Sequence, residues 1–102
     1  MPRPRRCRRI SCCPEVTYFK PAGVRMRFLS ENILTVDEFE AVRLKDLESF
    51  GQDESAVKMN ISQPTFHRLV ISARKKIADA IVNGKAIRID GGNFEFAGDI
   101  EK

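Results

Sequence analysis

Apolar residues recur at helical spacing in the second half of the chain, and the residues around them mark where helices begin and end. The longest pattern starts after Ser62, which can cap a helix, and stops before Gly84, which can end one. One stripe of this helix is predicted to be apolar: Phe66, Leu69, Val70, Ala73, Ile77, Ala80 and Ile81. A shorter helix is predicted over about 52–59. Asn60 is the predicted pivot between the two, because Asn tolerates the left-handed conformation of a tight turn.

A further helix is predicted over about 36–49. Thr35 is placed to cap it, and Glu38, three residues later, completes a capping box. Leu34 and Phe39 have the spacing of the hydrophobic staple that accompanies such caps. The acids of its first turns are interpreted as helix-dipole and solubility residues: Asp37, Glu38 and Glu40.

Extended segments are predicted on both sides of the helices. Residues 24–28 alternate Val, Met and Phe with arginine, which is typical of a half-buried strand, and residues 16–19 could form another. Residues 86–89 and 94–96 flank Asp90-Gly91-Gly92-Asn93, a strong signal for a β-hairpin.

The predicted fold is therefore mainly α, with a three-helix core, a C-terminal β-hairpin and an irregular basic N-terminal arm. Residues 1–30 form the Cys-containing arm with short extended segments, 31–85 the helix-turn-helix domain, and 86–97 the hairpin. The chain of 102 residues has room for one domain. No apolar run approaches the length of a membrane helix, and none follows the N-terminal arginines as in a secretory signal. We expect no membrane partner and a cytoplasmic location.

Charge is segregated along the sequence. Residues 1–28 carry eight Lys/Arg and one Asp/Glu, whereas residues 29–54 carry two and eight. Residues 55–102 carry eight and five, and the whole chain has a formal charge of +4. Such segregation predicts a basic surface that meets a polyanion and an acidic helix that faces elsewhere.

The two helices after residue 51 have the features of a DNA-binding helix-turn-helix. Ala56 is small where the helices would cross, and Asn60 makes the turn. Recognition helices meet base edges near their N-termini, where this helix would expose Gln63, Thr65, His67 and Arg68. Phosphate contacts are predicted for the helix start and its basic run: Ser62, Ser72, Arg74, Lys75 and Lys76.

Residues 34–44, 46–48, 61–66 and 73–76 resemble region 4 of sigma-70-type factors, of the winged-helix or homeodomain-like class. A narrower resemblance is carried by Met1-Pro2-Arg3-Pro4-Arg5, Cys7-Arg8-Arg9, Cys12, Pro21-Ala22-Gly23 and Asn83-Gly84-Lys85-Ala86. These segments are similar to a small prokaryotic family of uncharacterised, predicted DNA-binding proteins with this helix-turn-helix. The resemblance implies a three-helix DNA-binding core and transcriptional regulation. The chain departs from the sigma pattern at Gly51, where Ser is usual, and at Asn60, where Gly is usual.

The N-terminal arm carries two further candidate sites. Its arginines are predicted to contact phosphate or the minor groove, the alternative being a solubilising tail: Arg3, Arg5, Arg6, Arg8 and Arg9. Its cysteines, Cys7, Cys12 and Cys13, are odd in number, which argues against a disulfide framework. They could hold zinc or an iron–sulfur cluster, but a closed zinc site needs four ligands, so no cofactor is predicted. His67 is expected to face DNA.

The function predicted is sequence-specific binding of double-stranded DNA in transcriptional regulation. No catalytic constellation is found, so an enzyme is not expected. The alternatives are an adaptor that binds protein, for example RNA polymerase, and a thiol- or metal-responsive sensor. A second apolar strip on the last helix, Ile71, Ala78 and Val82, is either covered by the hairpin or the N-terminal strand, or forms a homodimer surface.

Overall fold

The computed structural model describes residues 8–11, 13–92 and 94–96. Within them lie three α-helices: α1 (Val36–Val42), α2 (Gln52–Met59) and α3 (Gln63–Asn83). There are five short strands in the same residues: β1 (Arg8–Ile10), β2 (Tyr18–Phe19), β3 (Glu31–Leu34), β4 (Ala86–Ile89) and β5 (Phe94–Phe96). The fold is mixed α/β with helix as the larger part, so the prediction of a mainly α chain understated the sheet.

The predicted helix boundaries are confirmed where a cap defines them. Thr35 Oγ1 accepts from the N–H of Glu38, and the Glu38 carboxylate accepts from the N–H of Thr35 at 2.9 Å, which completes the capping box. Ser62 caps α3, and Gly84 ends it with φ +67°. Asn60 takes the left-handed conformation between α2 and α3, with φ 59° and ψ 45°. The first helix is less regular than predicted, because after Val42 it continues as a π-helical segment, Arg43–Leu47.

A three-stranded sheet brings together the two ends of the helical unit, because β3 precedes the helices, β4 follows them and the two strands pair. β4 lies in its centre, antiparallel to β2 and parallel to β3. All three α-helices lie in the chain between β3 and β4, so the helical unit is the connection between two neighbouring parallel strands. Asn32 of β3 donates to the carbonyl of Lys76 and to Asp79, both at 2.9 Å, which attaches the sheet directly to α3.

The predicted C-terminal hairpin is wrong. β4 pairs with β2 and β3, whereas β5 pairs in parallel with β1 in a separate two-stranded sheet. The glycine pair packs against the start of α1, where the carbonyl of Gly91 accepts from the N–H of Val36 at 2.9 Å. A Cβ on Gly92 would lie 2.6 Å from Asp37 Oδ1 and 2.9 Å from Thr35 Cβ, so the glycine is required by this close approach.

The N-terminal region also differs from the prediction. Residues 24–28 form no strand; Met26–Phe28 is a 3₁₀ turn with exposed side chains. Arg8–Ile10 is not an irregular arm but β1, because Ile10 is fully buried and the strand pairs with β5. Residues 1–7 lie outside the described part of the chain.

Two apolar clusters hold α3 from one side. The first lies among α1, α2 and α3 and contains Ala41, Leu44, Ala56, Met59, Phe66 and Val70. The second joins β1, the three-stranded sheet and the middle of α3, and contains Ile10, Leu34, Val36, Ala73 and Ile89. Ile81, predicted to be in the apolar stripe, is 73% exposed, since the last turns of α3 extend past these clusters.

Within the described residues, the second apolar strip is exposed and not covered as one alternative predicted. Ile71 is 49% exposed and Val82 is 79% exposed. The homodimer that was the other alternative stays a prediction. Within the described residues, no helix combines the length and apolar content needed to cross a bilayer.

Candidate nucleic-acid interface

The side of α3 opposite the apolar clusters is a solvent-facing surface. Over its first four turns this side exposes Gln63, Pro64, His67, Arg68, Ile71, Arg74 and Lys75. From Gln63 to Lys76 the helix carries Arg and Lys but no Asp or Glu. The exposed acids nearest in sequence, Asp53 and Glu54, lie at the far end of α2 from the turn. The result is a cationic helix face at the N-terminal half of α3.

A ladder of polar side chains fixes the start of this face. The Ser62 hydroxyl donates to Thr65 Oγ1 at 2.9 Å and accepts from the N–H of Thr65 at 3.3 Å. Arg68 Nη2 also donates to Thr65 Oγ1, at 3.3 Å. Thr65 is half-buried, whereas Arg68 is exposed beyond it. These bonds therefore hold one end of the Arg68 guanidinium beside Thr65, while the residue as a whole stays exposed.

Two of the predicted phosphate-binding residues make hydrogen bonds to other parts of the protein. The Ser72 hydroxyl donates to Glu38 Oε2, and Lys76 Nζ donates to Glu38 Oε1 at 2.7 Å and to the carbonyl of Ile33 at 2.8 Å. These contacts tie α3 to α1 and β3. Ser72 and Lys76 are therefore left out of the candidate interface.

Arg74 and Lys75 differ in whether they have a partner within the protein. Arg74 donates two hydrogen bonds to Asp46, at 2.6 and 3.1 Å, and these bonds lower the pKa of the Asp46 carboxyl. Both partners are exposed, so water weakens this pair and a competing anion can replace Asp46. Lys75 is exposed and has no hydrogen-bond or ion-pair partner among the described residues. It is the cation of this face that is most readily available to a phosphate.

Glu38 is the residue through which α1 holds α3. Its carboxylate is buried and accepts from Ser72, Lys76 and the N–H of Thr35. Burial by itself raises the pKa of Glu38, but the hydrogen bonds from Lys76, Ser72 and Thr35 outweigh it and hold the pKa below the ordinary 4.5. A carboxyl whose pKa is lowered by folding stabilises the fold only while it is ionised.

We therefore predict that Glu38→Gln flattens the acid side of the stability profile. In the unfolded chain Glu38 titrates near 4.5, so its contribution is complete above that pH and is lost as the pH falls through the lower folded value. Urea denaturation between about pH 6 and about pH 3 measures the slope. The variant should be less stable by about 1–3 kcal/mol at neutral pH and should approach the native protein at the acid end. Glu54→Gln, an exposed acid of α2, is the control; equal slopes for the native protein and Glu38→Gln would contradict the role.

The acids of α1 were interpreted as helix-dipole and solubility residues. Asp37 and Glu38 do lie in the first turn of α1, but the solubility role is wrong. Asp37, Glu38 and Glu40 are all buried. Asp37 accepts from Arg8 Nη1 at 3.1 Å, and Glu40 accepts from the N–H of Ser11 at 2.9 Å. They hold β1 and α3 on α1. Glu40 and Arg43 are three residues apart in sequence, a spacing that signals their ion pair but not its burial.

The predicted N-terminal sites are only partly within the described residues. Arg8 is paired with Asp37 and mostly buried, whereas Arg9 is exposed. Cys13 is an exposed free thiol. The remaining candidates lie outside the described residues: Arg3, Arg5, Arg6, Cys7 and Cys12. In the part of the chain that is described, no three or more His, Cys, Asp or Glu side chains are grouped to hold a metal ion. The cysteine site stays a prediction.

Comparison with known proteins places the chain among bacterial relatives. A family model described as "Protein of unknown function DUF134" matches residues 1–97. A UPF0251 protein of Thermoanaerobacter pseudethanolicus is 60% identical over 94 residues, which is 92% of this chain and 80% of the relative. A UPF0251 protein of Dehalococcoides mccartyi is 58% identical over 95 residues, or 93% and 81% of the two chains. One of Pelotomaculum thermopropionicum is 55% identical over 95 residues, or 93% and 72%. No solved structure matches the chain.

Proposed function

The chain belongs to this family of unknown function, and from that premise we propose that it is a sequence-specific double-stranded DNA-binding protein that regulates transcription. In this proposal α2, the turn at Asn60 and α3 form the helix-turn-helix. α3 enters the major groove with its N-terminal half, and the sigma-70 region 4-like pattern of the sequence supports the same arrangement.

The observation that carries the proposal is the cationic face of α3, to which the helix itself contributes no Asp or Glu between Gln63 and Lys76. A helix with its side chains is about 10–12 Å across and fits the major groove, which is about 12 Å wide. The face is rigid because the opposite side of α3 is buried in two apolar clusters and bonded to Glu38. A rigid helix whose outward side carries Arg, Lys, His and Gln side chains has the groups that read base edges and neutralise phosphates.

The side chains of this face are assigned by their position. Gln63, His67 and Arg68 lie at the N-terminal end and are proposed to meet base edges. The start of α3 at Ser62 and the free cation Lys75 are proposed to meet phosphates. Arg74 joins them only after it has exchanged Asp46 for a phosphate.

Selection of bound duplexes from a random library tests the proposal directly. We expect one sequence motif to be enriched and its affinity to fall steeply with salt, because each neutralised phosphate releases counterions. The protein-binding adaptor makes the opposite prediction, since it would enrich no motif. Failure to enrich any duplex at low salt would overturn the proposal.

We predict that Lys75→Ala weakens binding to all duplexes alike and lowers the slope of log affinity against log salt by about one. The reason is the loss of one phosphate contact without a change at base edges. Binding titrations of the selected duplex and of a scrambled one at several salt concentrations measure both effects. Lys20→Ala is the control for the loss of one exposed positive charge, because Lys20 lies beside Ile81 and Gly84 at the other end of α3. Its ammonium donates to the carbonyls of Pro21 and Val24, so the stability of this variant is measured as well. A change in base preference would show that Lys75 faces the bases instead.

A further inference from the structure

One exposed side chain on the candidate interface is neither charged nor polar. Ile71 is 49% exposed, although it lies in the middle of a helix whose neighbouring Val70 is buried. Solvent exposure of one large apolar residue is common, so exposure alone assigns it no role. The charged neighbours of Ile71 on the helix surface indicate what it would contact.

Ile71 lies between two cations on the line of α3 farthest from the protein interior. Arg68 precedes it by three residues and Lys75 follows it by four, the spacings that place side chains next to each other on a helix. The buried line of the helix runs through Phe66, Ala73 and Ala80, on the opposite side. A helix that turns Arg68 and Lys75 to a duplex therefore turns Ile71 to it as well.

We propose that Ile71 contacts the 5-methyl group of a thymine in the major groove, and that it makes the protein prefer a T·A pair at that position. This inference rests on the DNA binding proposed above and names the base that one residue of the interface reads. Thymine is the base that presents a methyl group in this groove, whereas the other base edges offer mainly hydrogen-bonding groups. Isoleucine cannot hydrogen-bond to those edges, and it would bury their polar atoms without a partner.

Replacement of each thymine of the selected duplex by deoxyuridine tests this contact, because deoxyuridine lacks the methyl group and keeps the same pairing and polar edge. We expect one replacement to weaken binding of the native protein about fourfold, the value of burying one methyl-sized group. With Ile71→Ala, the same replacement should change the affinity by a factor of about one. Ile81→Ala, which removes another exposed isoleucine of α3, should keep the full fourfold preference.

The outcomes separate this inference from the proposal beneath it. If no duplex is enriched, the DNA-binding proposal fails and the methyl contact falls with it. If a duplex binds with a steep salt dependence but deoxyuridine weakens native and Ile71→Ala proteins equally, or weakens neither, only the methyl contact is overturned. Sedimentation that shows Ile71→Ala dissociating a dimer, with thymine preference unchanged, would assign Ile71 to a contact between copies and also overturn it.

Discussion

Replacing Glu40 with alanine is expected to lower the free energy of unfolding by about 3–5 kcal/mol, the usual cost of removing one partner of a buried ion pair. Glu40 is 0% exposed, and its two carboxylate oxygens accept from Nε and Nη2 of Arg43, each at 2.9 Å. One oxygen also accepts from the N–H of Ser11. The substitution removes the acceptor of all three donors and leaves a cavity where the fully buried Glu40 side chain was.

Urea denaturation of the purified variant measures this effect. Glu48→Ala is the matched control, because Glu48 bonds to the same Arg43 at 3.2 Å but is exposed, so its loss should cost less than about 1 kcal/mol. Glu40→Gln should fall between the two, since the amide keeps one acceptor for Arg43. Equal destabilisation by Glu40→Ala and Glu48→Ala would show that burial does not strengthen the Glu40 pair.

The helices could be predicted from the sequence because the signals that define them are local. In the capping box Thr35 and Glu38 are three positions apart, and Ser62 bonds to Thr65 at the same separation. Asn60 and Gly84 adopt the left-handed conformation. Glycine permits it because it has no Cβ, and asparagine tolerates it because its short polar side chain can hydrogen-bond locally. Each of these features depends on neighbours within one helical turn.

The sheets could not be predicted because their partners are distant in sequence. β3 pairs with β4 across the whole helical unit, and β1 pairs with β5 from the other end of the chain. The Asp90–Asn93 segment has a hairpin composition, but Gly91 and Gly92 contact the start of α1, and this contact determines the path of the chain at the two glycines. A local turn signal was overridden by a tertiary contact.

In the candidate interface, too, some features follow from local sequence and others depend on residues distant in sequence. Helical phase alone predicted that Arg68 and Lys75 face outward together, and both are exposed. Ser72 and Lys76 were predicted to contact phosphates, but at about 100° per residue they lie at the edge of that face. The direction of a side chain at the edge depends on a neighbouring residue. The neighbour is Glu38, more than thirty residues away in sequence, and it turns both side chains inward. Residues at the edge of a helix face are therefore the ones that a sequence pattern assigns least well.

Arg68→Ala is expected to relax base preference at one or two positions of the selected duplex, with the discrimination there falling by about 5- to 150-fold. A bidentate contact from arginine to guanine is worth about 1–3 kcal/mol. The Thr65 hydroxyl accepts from Nη2 of Arg68 and so restricts the position of the guanidinium. Competition binding against every single-base-pair variant of the duplex measures the change position by position.

Arg68→Lys is the informative companion variant, because it keeps the charge but not the planar fork of donors. If Arg68 reads a base, the lysine variant should lose most of the discrimination while its salt slope stays close to that of the native protein. Thr65→Val should show a smaller loss at the same position, since it removes the hydroxyl that accepts from Arg68 and leaves the guanidinium in place. A uniform loss of affinity across all duplexes would instead make Arg68 a phosphate contact and would move base reading toward Gln63 and His67.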